Sequence, residues 1–196
     1  MLEFLQILAI LAAIYGLLCL YAVVMADRLI FPAPPSGYTE AQVPLRVPMA
    51  DGSEAAAVWL PCEQPKATIL YCHGNAEDLS DIRPAIEQFA GHGFALLAVD
   101  YPGYGCSEGE PSEEGCILAA EAGLDYLRET LQIDPRHIIV YGRSLGGGPA
   151  TDLVSRESVG GLILEGTFTS CFRVQTRWRL LPWDLFDNLS KIGEIR

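Results

Sequence analysis

Ser144 is the residue of this sequence best placed to do covalent chemistry. It lies in Ile138-Ile139-Val140-Tyr141-Gly142-Arg143-Ser144-Leu145-Gly146-Gly147-Gly148, an apolar strand-like run that enters a Gly-x-Ser-x-Gly turn and leaves toward a helix. A serine on such a bend has a strained backbone that lifts its hydroxyl clear of the sheet edge, free to attack a carbonyl. Gly142 and Gly146 leave the neighbouring backbone room to pass without a Cβ clash. The helix that follows points free N–H groups and positive potential at a developing oxyanion. Ile69-Leu70-Tyr71-Cys72-His73-Gly74-Asn75-Ala76 is a second strand running into a tight turn, and Asp100-Tyr101-Pro102-Gly103-Tyr104-Gly105 is a third.

These turns need a frame. Strand-like runs fall at Val43–Met49, Ala55–Leu60, Ala67–Cys72, Phe94–Asp100, His137–Tyr141 and Gly161–Glu165, the later ones almost continuously apolar, as in strands covered on both faces. Helical patterns lie between them. Ile82, Ile86 and Phe89 mark a helix from near Ser80 to Gly91 or Gly93. Ala120, Leu124, Leu127 and Leu131 mark a second, with Ser112 as N-cap and Glu113 and Glu114 in its first turn. A third begins at Ser144 and runs to about Arg156. Strands alternating with helices predict an α/β fold, a mostly parallel sheet with right-handed crossovers and helices on both faces. The first two strands, joined through Asp51-Gly52-Ser53, predict an antiparallel hairpin at the sheet edge.

Taken together, His73-Gly74-Asn75-Ala76, Asp100-Tyr101-Pro102-Gly103-Tyr104-Gly105 with Ser107 and Gly109, Gly142-Arg143-Ser144-Leu145-Gly146 and Gly160-Gly161-Leu162-Ile163-Leu164-Glu165-Gly166-Thr167 resemble membrane-anchored α/β-hydrolase-domain proteins related to serine aminopeptidases and prolyl oligopeptidases. Arg28-Leu29-Ile30-Phe31-Pro32 after an N-terminal span fits the same group. The resemblance implies the α/β-hydrolase fold and a serine hydrolase cleaving an ester, thioester or amide through an acyl-enzyme on Ser144. It implies an oxyanion hole from the main-chain N–H groups of Asn75 and Leu145, with Ala76 as the alternative to Asn75. The ring of His73 is expected to be structural, because the base follows the serine in this fold. Arg143 is expected to make a salt bridge within the fold or to stand exposed, with contact to an anionic substrate as the alternative.

The pattern breaks after the sixth strand. Triad order on this fold is serine, then Asp or Glu, then His, yet His73, His92 and His137 all precede Ser144. The acid and histidine, with the last two strands and final helix, are expected beyond Arg196, leaving a sheet edge open and residues 1–196 inactive alone. Asp184 and Asp187 are the remaining acid candidates, in a segment with Trp178, Trp183 and Phe186 that reads as a lid. The competing reading is a membrane-tethered, non-catalytic pseudo-hydrolase that binds a ligand in the same cleft. A nucleotide-binding protein fails on detail, since neither the dinucleotide nor the phosphate-loop glycine pattern occurs.

From Phe4 to Met25 no side chain is charged. That run makes roughly 33 Å of helix, enough to cross a bilayer core of about 30 Å. A cleaved signal ending near Val24-Met25-Ala26 fits less well, since the run is long and no Lys or Arg precedes it. The expected organisation is a single-pass anchor at 1–26, a proline-stiffened connector at 27–41 and the hydrolase domain at 42–196. Charge counting favours a cytoplasmic domain by about one charge. A net charge of −12 argues against nucleic acid as a partner. The expected partners are a small-molecule, lipid or peptide acyl substrate and, through the helix, a membrane. Of six cysteines, Cys19 lies in the span, and the other five include no Cys-x-x-Cys, so reduced thiols are expected, Cys72 as small core filler. No cofactor or metal is called for.

Overall fold

The computed structural model describes residues 1–43, 45–174 and 180–195. Its elements are α1 (Leu2–Ile30), β1 (Leu45–Pro48), β2 (Glu54–Leu60), β3 (Thr68–Cys72), α2 (Arg83–Gly91), β4 (Ala95–Val99), α3 (Glu113–Asp125), β5 (Ile138–Arg143), α4 (Gly147–Arg156), β6 (Gly161–Glu165) and a short α5 (Asn188–Lys191). The strands form one six-stranded sheet in the order β1-β2-β4-β3-β5-β6. β1 pairs antiparallel with β2, and β2 with β4. The β4-β3-β5-β6 part is parallel throughout. Largely apolar β3 and β4 are buried at every position because helices cover both faces. One core layer packs Leu70, Leu97 and Val140 against α3 and α4; the other packs Ile69, Leu96 and Tyr141 against α2. This is the α/β architecture expected from the sequence, with the hairpin at its edge.

Local chemistry sets the element ends. Ser112 Oγ accepts from the Gly115 N–H at 3.0 Å and starts α3 where the sequence puts its N-cap. α2 begins at Arg83, three residues later than expected, because Asp78 Oδ1 accepts from the Ser80 N–H at 2.8 Å and holds the preceding residues in a turn. β5 starts one residue late, since Pro135–His137 form a 3₁₀ turn capped by Asp134.

Two expectations need correction. The apolar helix does not hand over to the connector at Asp27: α1 runs on to Ile30. The first real breaker is Pro32, and the residue before a proline is driven out of the α region, so the helix ends on Phe31 with φ −116° and ψ 71°. Phe186 is not part of a lid. It is fully buried, edge-on to Phe31 at 6.2 Å and tilted against Phe168 at 6.4 Å. Trp178, assigned to the same lid, lies outside the described residues.

α1 is also not held apart from the domain. Its residues Tyr15, Leu18, Ala22, Ala26 and Ile30, spaced three or four apart, fall on one helical face. Tyr15 Oη donates to the Leu180 carbonyl at 3.0 Å, Ala26 is buried, and the Ile30 carbonyl accepts from Asn75 Nδ2 at 2.6 Å. The opposite face, with Leu17, Leu20 and Val24, is bare.

Candidate active site

Ser144 follows the last residue of β5 and opens a 3₁₀ turn, Ser144–Gly146, that continues into α4. Its φ is +50°, a left-handed value that costs a non-glycine residue about 1–2 kcal/mol. The side chain is exposed, and no described residue hydrogen-bonds its hydroxyl. The bend is held from below by close packing. A Cβ on Gly142 would lie 2.6 Å from the Gly146 carbonyl oxygen and 2.7 Å from Ala150 Cβ. One on Gly146 would lie 2.1 Å from the Cys72 carbonyl oxygen and 2.6 Å from that of His73. The glycines at both positions therefore let α4 start hard against the carboxyl end of β3. Thr167 Oγ1 donates to the Ser144 carbonyl at 2.9 Å and ties the turn to the segment after β6.

The loop after β3 faces this turn. Asn75, Ser144 and Leu145 line one cavity of about 660 Å³. Neither the Asn75 nor the Leu145 main-chain N–H is engaged by another described residue. The Ala76 N–H, by contrast, donates to Asn75 Oδ1 at 3.0 Å, so it is already used. Asn75 Oδ1 also accepts from Tyr104 Oη at 2.8 Å. The Asn75 side chain thus joins the third turn of the sequence to the end of α1.

His73 and Gly74 brace that loop from below. The His73 ring is fully buried, with Nδ1 donating to the Gly74 carbonyl at 2.8 Å. Its Nε2 lies 3.1 Å from Asp100 Oδ1, off the line of a hydrogen bond. Tyr38 Oη donates to Asp100 Oδ2, and burial beside that carboxylate pushes the phenol well above its usual range. Tyr101 lies against the imidazole at 4.2 Å between ring centres and donates to the His73 carbonyl at 2.8 Å. Both ring nitrogens are therefore turned to structural partners. His92 and His137 are exposed, at the end of α2 and at the amino end of β5.

Other candidates resolve plainly. Arg143 pairs with Glu77, which also accepts from the Gly74 N–H at 3.3 Å, so it is a salt bridge within the fold that steadies the loop. Asp184 borders the cavity, but its carboxylate accepts from Phe172 N–H at 2.8 Å, Leu185 N–H at 2.9 Å and Ser170 Oγ at 2.6 Å. Asp187 caps α5. Cys72 is fully buried in β3. Burial pushes the Cys171 thiol, which borders the cavity, up to about 12 and keeps it protonated.

Sequence reasoning missed one wall. Leu18, Tyr21, Ala22, Ala26 and Leu29 of α1 border the cavity beside Ser144. Alanines four apart at 22 and 26 were the only signal, and a helix apolar on every side hides such a stripe.

With this geometry in place, comparison with known proteins identifies the class. The family model for the alpha/beta hydrolase fold matches residues 67–192, and the chain belongs to that family. Human alpha/beta hydrolase domain-containing protein 17B is 34% identical over 152 residues, 74% of this chain and 51% of that protein. The Caenorhabditis elegans alpha/beta hydrolase domain-containing protein aho-3 is 34% identical over 135 residues, 66% of this chain and 40% of that one. The chain spans about half the length of the curated relatives it matches. Among solved structures, an α/β hydrolase from Vibrio vulnificus superposes with a TM-score of 0.59 at 25% identity, covering 71% of this chain and 56% of that one. The Pyrococcus furiosus esterase Pf2001, at 22% identity over 67% of this chain and 55% of that one, gives a TM-score of 0.56 and shares the fold.

Proposed function

We propose that this chain carries the nucleophile and oxyanion half of a serine hydrolase that cleaves an acyl ester, thioester or amide. Ser144 Oγ attacks the acyl carbonyl, and the tetrahedral oxyanion accepts hydrogen bonds from the Asn75 and Leu145 main-chain N–H groups. A base takes the serine proton and delivers it to the departing alcohol, thiol or amine, leaving an acyl-enzyme on Ser144. Water, deprotonated by the same base, then releases the acid and restores the serine. Each oxyanion donor in such a site is worth about 10²–10³ in kcat.

The observation that carries this reading is the left-handed Ser144 on its glycine-flanked bend, in one cavity with Asn75 and Leu145. The base is not among the three histidines here, since His73 is committed to Gly74 and Asp100 and the others stand elsewhere. On this reading it comes with the acid from sequence after residue 196, for which the longer relatives leave room. The motif resemblance to serine aminopeptidases and prolyl oligopeptidases keeps amides beside esters and thioesters among the substrates. α1, 29 residues long and apolar, is proposed to cross a membrane once, with the domain on the cytoplasmic side.

The test is labelling of the full-length protein with a fluorophosphonate. Labelling maps to Ser144 and vanishes with ester hydrolysis in Ser144→Ala. Labelling and hydrolysis that survive the substitution overturn the assignment. A full-length protein that never labels supports a binding-only role instead.

A further inference from the structure

The cavity over Ser144 has a composition that selects its occupant. Among the described residues its polar members are few: Asn75 and Ser144 at one end, and Tyr21 and Asp184 along the sides. The Asp184 carboxylate is taken up by Ser170, Phe172 and Leu185. The rest is mostly hydrocarbon, contributed by α1 on one side and by Phe168, Leu181 and the Trp183 ring on the other, with the indole N–H and the Cys171 thiol as its remaining polar atoms. A sugar, a nucleotide or a charged peptide would find too few partners for its polar groups here, and each group buried without one is costly.

The cavity also has a direction. Ile30, at the end of α1, is bonded to Asn75 and marks the reacting end. Leu18, twelve residues back, marks the far end, roughly 18 Å away along the helix axis. Beyond it Tyr15 is bonded to the Leu180 carbonyl and draws the helix against the segment after β6. A cleft that is long, largely apolar and open to a carbonyl-attacking serine at one end fits a long acyl chain.

We propose that the face of α1 carrying Leu18, Ala22 and Ala26 is the wall of an acyl-chain channel ending at Ser144, so that the apparent membrane anchor also sets the chain length the site accepts. This rests on the serine-hydrolase reading and deepens it. Ala22 is the measuring residue: it stands partway down the channel, and its small side chain leaves the space a tail occupies. Because the opposite face of α1 is bare and apolar, the channel runs beside hydrocarbon, and a tail enters sideways from a bilayer.

The test uses the full-length protein in detergent micelles with 4-nitrophenyl esters from butyrate to palmitate. Ala22→Trp fills the channel midway; Val24→Trp adds the same bulk to the bare face of the same helix. At roughly a fourfold gain per methylene buried, displacing two or three methylenes lowers the palmitate-to-butyrate ratio of kcat/KM by about 15- to 60-fold in Ala22→Trp. Val24→Trp leaves that ratio within about twofold. An unchanged ratio in Ala22→Trp, an equal fall in both variants, or a uniform loss at every chain length overturns the proposal. Should Ala22→Trp fail to fold, palmitate bearing a diazirine at its tail decides the matter on the unaltered protein. Saturable crosslinks to both α1 and the Leu180–Trp183 stretch support the channel; labelling that is non-saturable or confined to α1 refutes it. Hydrolysis that persists in Ser144→Ala sinks the nucleophile reading and leaves the crosslinking result standing.

Discussion

Replacing Gly146 by alanine probes the construction of the reactive bend more sharply than removing the serine. The added carbon would lie 2.1 Å from the Cys72 carbonyl oxygen, 2.5 Å from its carbon and 2.6 Å from the His73 carbonyl oxygen. The first two are main-chain atoms of β3, paired on both sides through β4 and β5, and the third accepts from Tyr101 Oη, so they have little room to retreat. Relief must come from α4 lifting off β3. That movement would also open the contact between Gly142 and Ala150 and disturb the packing of Leu145, Ala150 and Leu153, all buried. Overpacking of this kind costs up to about 3 kcal/mol. For a protein of this size that corresponds to a fall in Tm of roughly 6–12 °C. Gly161→Ala is the matched control, since nothing lies within 4 Å of the carbon it would add. Thermal unfolding followed by circular dichroism reads both. A Gly146→Ala protein melting within about 2 °C of the parent would mean that strand and helix do not meet as described, and the argument for a rigid bend would fail with it.

Three further outcomes follow from the same geometry. Ser144→Gly removes left-handed strain, partly offset by a freer unfolded chain, so it should raise stability by about 0.5–1 kcal/mol while abolishing fluorophosphonate labelling; a lower Tm would show that no strain is stored there. Asn75→Ala strips partners from the Ile30 carbonyl and the Tyr104 hydroxyl, and should cost about 2 kcal/mol, or roughly 4–8 °C in Tm; an unchanged Tm refutes the bracing role. Cys171, pushed by burial from about 9 up to about 12, should resist iodoacetamide at pH 8 in the native state by about 10³ relative to the unfolded chain, and native-state alkylation at the rate of an open thiol would contradict its burial. Because its folded value is raised, the stability it contributes is full below about pH 9 and is lost as pH climbs toward 12.

Much of this was readable without coordinates. The bend at Ser144, the turn after Cys72 and the cap at Ser112 announce themselves because each depends on local chemistry: glycine at a close approach, a hydroxyl before a helix, apolar runs of strand length. The start of α2 and the end of α1 were misjudged by three to five residues. There the deciding features were the Asp78 side chain turning back on its own loop and a proline acting one residue ahead of itself. Phe186 was misread because an aromatic in an irregular segment carries no periodicity to say which way it points. The wall formed by α1 was invisible for a related reason. A helix built almost wholly of apolar residues has no contrast between faces, and only contacts far along the chain, such as Tyr15 with Leu180, reveal which side is covered.

The bond between Asn75 and the Ile30 carbonyl has a practical corollary. Hydrophobic leaders are routinely trimmed away to obtain soluble protein, on the assumption that what remains is the working part. Here a version beginning at Phe31 would lose the acceptor that holds Asn75 and expose Phe168, Leu181 and Trp183 to water. Such a shortened protein, if it expressed well and did nothing, would report on the missing helix and say little about the serine.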